Sequence, residues 1–214
     1  MEERNFKSEK VPHNYLKKAL IKAKESLQFI FSKNNRELRV LLLGGASGVL
    51  ALSLFFVATP LFITQTLGFN PAYISLIFSI IAVVTMLGPI LAEGLANKRG
   101  FRYSLFFAWV VISASMFIFS IPHAIVWAIV GLGMMNFAEV INDIIEESAM
   151  HHEFSSKLRA TLGSVSNINW AITNSLGVFL AGFGIKFLGI LPVIFIAGGL
   201  SFFTALIYLL GMKK

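Results

Sequence analysis

Six runs of apolar residues, each about twenty residues long, decide most of what this chain can fold into. They cover 40–64, 72–96, 103–121, 124–145, 160–186 and 190–211. A helix of about 20 residues rises ~30 Å and crosses the hydrocarbon core of a bilayer. A water-soluble domain would need polar residues to cover its surface, yet only 14% of the 214 residues are charged and mean hydropathy is +0.76. The breaks between runs carry turn chemistry: Gly68-Phe69-Asn70-Pro71, Asn97-Lys98-Arg99-Gly100, Ile121-Pro122-His123, the polar stretch 146–159, and Leu188-Gly189. Pro60 and Pro89 fall inside runs, where they are expected to kink helices rather than end them. The expected fold is an all-α membrane protein with six transmembrane helices over 40–214.

Residues 1–39 differ in character. Over 14–32, Leu16, Leu20, Ala23, Leu27, Ile30 and Phe31 make an apolar stripe at helical spacing beside Lys17, Lys18, Lys22 and Lys24. This reads as an amphipathic helix lying on the lipid interface; a linker helix touching neighbouring loops is the alternative. The net charge of +7 arises mostly here. A basic segment beside a membrane-spanning body faces anionic lipid, so no nucleic-acid partner is expected.

Lys and Arg also orient the chain. Ten of the 18 precede the first run; Lys98, Arg99 and Arg102 lie between the second and third; Lys157 and Arg159 lie between the fourth and fifth; Lys213 and Lys214 end the chain. Only Lys186 falls on the opposite side. Both termini are therefore expected in the cytosol, with the body in the plasma (inner) membrane.

The turn GLANKRGFR, Gly94 to Arg102, resembles the G-x-L-A-D-R-x-G-R-R pattern of the major facilitator superfamily of transporters. Gly94, the pair Lys98 and Arg99, Gly100 and Arg102 fit it; the acid position is Asn97, and the basic residues are slightly shifted. The stretch KLRATLGSVSNINWAITNSLGVFLAGFGIKFLG, 157–189, resembles the eleventh-helix region of that family, and the basic start resembles its central linker. The resemblance implies the C-terminal six-helix half of a twelve-helix transporter. Its partner would be an N-terminal half, whether missing, a separate chain, or a second copy of this one. It further implies secondary transport of a small organic solute by alternating access, coupled to protons, with efflux ahead of uptake. A non-transporting scaffold or assembly subunit on the same six helices is the alternative.

Candidate functional residues fall in two groups. Asn167, Trp170 and Asn174 recur at i, i+3 and i+7 on the fifth run, with Ser164 on the same face. Amides facing lipid are costly, so this face should meet protein, solute or water. On the fourth run, Asn136, Glu139, Asp143 and Glu146 share a face. Counting from Ala124, Glu139 lies about 22 Å along the helix and about 8 Å from the inner edge of the core. It is a candidate proton carrier or part of a latch. Asp143 lies at the membrane edge, and Glu146 and Glu147 are expected in solvent. By the family resemblance, Asp143 faces Lys98, Arg99 and Arg102 in a cytosolic gate that also includes Glu93 and Asn97. Gly44, Gly45 and Gly48 read as close helix packing, and His151 and His152 as a solvated loop. No Gly-rich phosphate cradle, nucleophile elbow or metal-hydrolase motif is found, so neither an enzyme nor a cofactor is expected.

Overall fold

The computed structural model describes residues 21, 24, 28–30, 32, 35–121, 125–153 and 159–213. Among them every regular element is helical: α1 (Arg36–Leu61), continuing into a π-helical turn (Phe62–Thr66), then α2 (Pro71–Thr85), α3 (Gly88–Phe119), α4 (Ile125–Glu153), α5 (Arg159–Leu188) and α6 (Ile190–Gly211). Five helices are long and apolar enough to cross a membrane: α1 with its π-turn, α3, α4, α5 from Leu162, and α6. The chain is thus an all-helical, multi-pass membrane protein by the length and composition of its helices.

Three features depart from the sequence expectation, each for a local reason. The run 72–96 is divided: α2 ends at Thr85, Met86 and Leu87 form a turn, and Pro89 takes the second position of α3. Pro89 offers no N–H to the Thr85 carbonyl, and its ring would press on that group. Here proline ends a helix, whereas Pro60 is carried within α1. The turn at 97–100 is concentrated in Gly100, whose φ of 73° and ψ of 164° bend α3 into two arms. Only a residue without Cβ adopts that backbone cheaply, and Ser104 Oγ ties the arms by donating to the Leu95 carbonyl at 3.1 Å. Finally, α4 runs on to Glu153, past the expected end at residue 145. Residues 146–153 contain neither Gly nor Pro, and Ala149 is buried, so nothing stops the helix. Glu146, Glu147, His151 and His152 are therefore helical rather than in a loop.

The helices follow one another around the bundle as α5, α1, α6, α3, α4, α2, and α1 also reaches α4. In lipid the apolar effect does not draw helices together, so close packing at small residues must. The structure has that packing on α1: a Cβ on Gly48 would overlap the Trp109 indole, and one on Gly44 would stand 2.5 Å from the Tyr208 ring. Toward the other end, Phe119 packs on Phe55 and Phe62, each with ring centroids 5.0 Å apart.

α5 is held differently. Only 11% of its most apolar window is buried, against 39–44% in the other four spans. Its main neighbour is α1, reached through Gly177 against Ser53 and through Asn169 Nδ2 donating to the Leu42 carbonyl at 3.2 Å. Most of the proposed interfacial helix lies outside the described residues. Its described end packs on protein: Ile30 is buried with Leu38 and Leu162, and Asn35 Nδ2 donates to the Phe29 carbonyl at 2.6 Å.

Candidate functional site

A cavity of about 570 Å³ lies between α1, α4 and α5, with Trp109 of α3 reaching it from behind. α4 supplies its acidic side. Glu139, Asn142, Asp143, Glu146, Glu147, Met150 and His151 all line it, because residues three and four apart share a helix face. α5 supplies Gly163, Ser166, Asn167, Asn169 and Trp170, and α1 supplies Leu42, Gly45, Val49 and Leu52.

The floor is a buried polar cluster around Glu146. Its carboxylate occupies the space beside Gly45, where a Cβ would meet Oε1 at 2.5 Å. Asn142 Nδ2 donates to Glu146 Oε2 at 3.3 Å, one helical turn away. Asn142 is only 2% exposed and its Oδ1 has no hydrogen-bond partner; the indole N–H of Trp109 is likewise buried without one. The buried hydroxyl of Tyr208 faces the Glu146 carboxylate. Two orphan polar atoms in the lining of one cavity are unusual, since buried polar groups are normally satisfied. Toward its C-terminal end the helix is wetter. Glu147 and His151 form an exposed i,i+4 pair at 3.5 Å.

The cavity collects some of the residues singled out from sequence and leaves others aside. Glu139, Asp143, Asn167 and Trp170 line it. Asn174 does not: its amide oxygen lies 2.8 Å from Ser53 Oγ, which also lies 2.7 Å from the Val49 carbonyl, and this contact ties α5 to α1. Asn136 turns its amide back onto its own helix, Nδ2 donating to the Leu132 carbonyl at 2.8 Å. Glu146, expected in solvent, is instead half-buried against α1, because α4 does not end where the polar stretch begins.

The basic turn lies beside the C-terminal end of α4, with the Phe101 and His152 rings 6.2 Å apart. Glu93, Asn97, Lys98 and Arg99 are exposed and Arg102 is half-buried. Arg99 lies over the Phe107 ring at 5.0 Å and Arg102 over Tyr103 at 5.4 Å. The Nε of Arg102 is buried without a hydrogen-bond partner. Among the described residues, no salt bridge joins Asp143 or Glu146 to Lys98, Arg99 or Arg102; the pairs present are Glu147 with His151 and Glu153 with His152.

Sequence reasoning missed Asn142, Trp109 and Tyr208. Asn142 was within reach, at i+3 from Glu139 and i−4 from Glu146. Trp109 and Tyr208 carry no local signal, because only helix packing brings them to α1. No family model, curated protein or solved structure matches the chain.

Proposed function

We propose that this chain is a six-helix half of a transporter of the major facilitator type. It would move a small organic solute by alternating access, with the proton as driving ion and efflux ahead of uptake. The observation that carries this reading is the cavity itself: acids, amides and indoles from three long apolar helices converge on one space. Such groups are costly inside a bilayer, where ionisable residues mark solute and ion paths. In this reading both termini face the cytosol of a plasma membrane.

The exposed face of α5 supports a partner for this body. Asn167 and Trp170 line the cavity yet remain exposed, so the other helices leave the cavity open along α5. A second six-helix body, from another chain or another copy, would cover it and complete the solute path. The basic turn and Asp143, which share no salt bridge among the described residues, are in this reading the open arrangement of a gate whose ion pairs form when the cytosolic side closes.

The test is expression of the full chain in an efflux-deficient bacterial host, alone and with any adjacent six-span gene, while accumulation of a panel of organic solutes is followed. Energy-dependent lowering of at least one solute supports the proposal. Unchanged accumulation of every solute in both settings defeats it and favours a scaffold role.

A further inference from the structure

The charge and chemistry of the cavity lining narrow what it would hold. Among the described residues it presents four carboxylates, Glu139, Asp143, Glu146 and Glu147, and no lysine or arginine. His151 is the one basic side chain, and it stands against Glu147 at 3.5 Å. Glu146 is engaged by Asn142. Glu139 and Asp143 remain without a salt bridge among the described residues. An anion placed here would meet like charge along the whole cavity-facing side of α4, and a neutral solute would leave those carboxylates without counter-charge.

A second observation is independent of the acids. Asn142, at 2% exposed, and Trp109, at 1%, both line the cavity, and each keeps one polar atom unpaired. The Asn142 oxygen is an acceptor beside the acidic face, and the Trp109 N–H is a donor behind it. Across the space stands Trp170, 54% exposed, with an indole face free to carry a cation. Leu42, Val49, Leu52 and Met150 supply apolar wall. The volume of about 570 Å³ suits one drug-sized molecule.

We propose that this cavity binds a monovalent organic cation with an apolar body, its charge held by Glu139 and Asp143 and its body laid against Trp170 and the apolar wall. The inference rests on the cavity being the solute site and specifies the sign of the solute. Binding of tetraphenylphosphonium to the full chain in detergent tests it, with tetraphenylborate, of the same shape and opposite charge, titrated in a separate sample because the two ions precipitate together. The cation should bind saturably, and the borate should not bind. Glu139→Gln and Asp143→Asn should each weaken cation binding about tenfold, and Trp170→Leu about threefold or more. No saturable cation binding, borate binding of comparable affinity, or affinity within twofold of wild type in both carboxylate variants would overturn the assignment. The borate titration uses unaltered protein, so it decides the sign even where a variant fails to fold. Cation binding without any solute flux defeats transport and leaves the cation site standing. Flux of neutral or anionic solutes without cation binding does the reverse.

Discussion

The carboxylate of Glu146 fills the place that a side chain at residue 45 would take: Oε1 lies 2.5 Å from where a Cβ on Gly45 would stand. This contact joins α1 to α4 at the cavity floor, and it makes Gly45 part of the site through what it lacks. Gly45→Ala is expected to keep the fold, because the group it meets is the end of a flexible side chain. It should displace Glu146 and alter cation affinity at the cavity by severalfold. Paired thermal melting and tetraphenylphosphonium titration check this; a large loss of melting temperature with unchanged affinity would contradict it.

Gly131 meets a harder neighbour. A Cβ there would stand 2.6 Å from the Phe119 amide nitrogen and 2.7 Å from the Ser115 carbonyl oxygen. Backbone cannot rotate away as a side chain does, so α3 and α4 must separate. Gly131→Ala should destabilise by about 1–3 kcal/mol or more. Gly133, two residues on, has nothing within 4 Å of its Cβ position, and Gly133→Ala should melt like wild type.

The two amides of α5 should part company. Asn174 bonds to Ser53 outside the cavity, and Asn167 lines it. Asn174→Ala is expected to cost about 0.6–1 kcal/mol of stability and to leave ligand affinity unchanged. Asn167→Ala should leave stability unchanged and reduce ligand affinity. Melting and binding measured side by side on both variants would expose a reversed pattern.

In the proposed transport cycle Glu139 both binds the solute and carries the proton. Glu139→Gln should still support solute movement down the solute's own gradient, at concentrations raised to offset its weaker binding, but lose dependence on a pH gradient. Full-rate transport with unaltered pH-gradient dependence would exclude Glu139 as the proton carrier.

The gate can be probed by charge removal. Lys98 has no salt bridge among the described residues and is not in the cavity lining, so Lys98→Ala should leave melting temperature and tetraphenylphosphonium affinity nearly unchanged while lowering flux. Unchanged flux would argue against the latch.

The parts of this fold that were readable from sequence are those in which apolar length and punctuation agree. The last run, 190–211, matches α6 at both ends, because Gly189 with its φ of 96° stops the preceding helix cleanly. The run 160–186 is close to α5 for the same reason. Where composition and backbone chemistry disagree, hydropathy misleads: Pro89 divides a run that is apolar throughout, and 146–153 are polar yet helical. In the site, i+3 and i+4 counting put Glu139 and Asp143 on one face and Asn167 and Trp170 on another, all in the cavity lining, but it grouped Asn136 and Asn174 with them, and those two lie outside it. It could not find Trp109 or Tyr208, whose positions depend on the glycines of a different helix.

The length of α4 has a mechanical consequence. Its 29 residues rise about 44 Å, well beyond a ~30 Å hydrocarbon core. Glu139, Asp143, Glu147 and His151 ride on this one rod and cannot be repositioned separately. A tilt of about 10° pivoting at Gly131 would carry residue 151, roughly 30 Å away, sideways by about 5 Å. A small rearrangement where α4 meets α3 therefore reaches the end of the cavity at His151 as a much larger displacement.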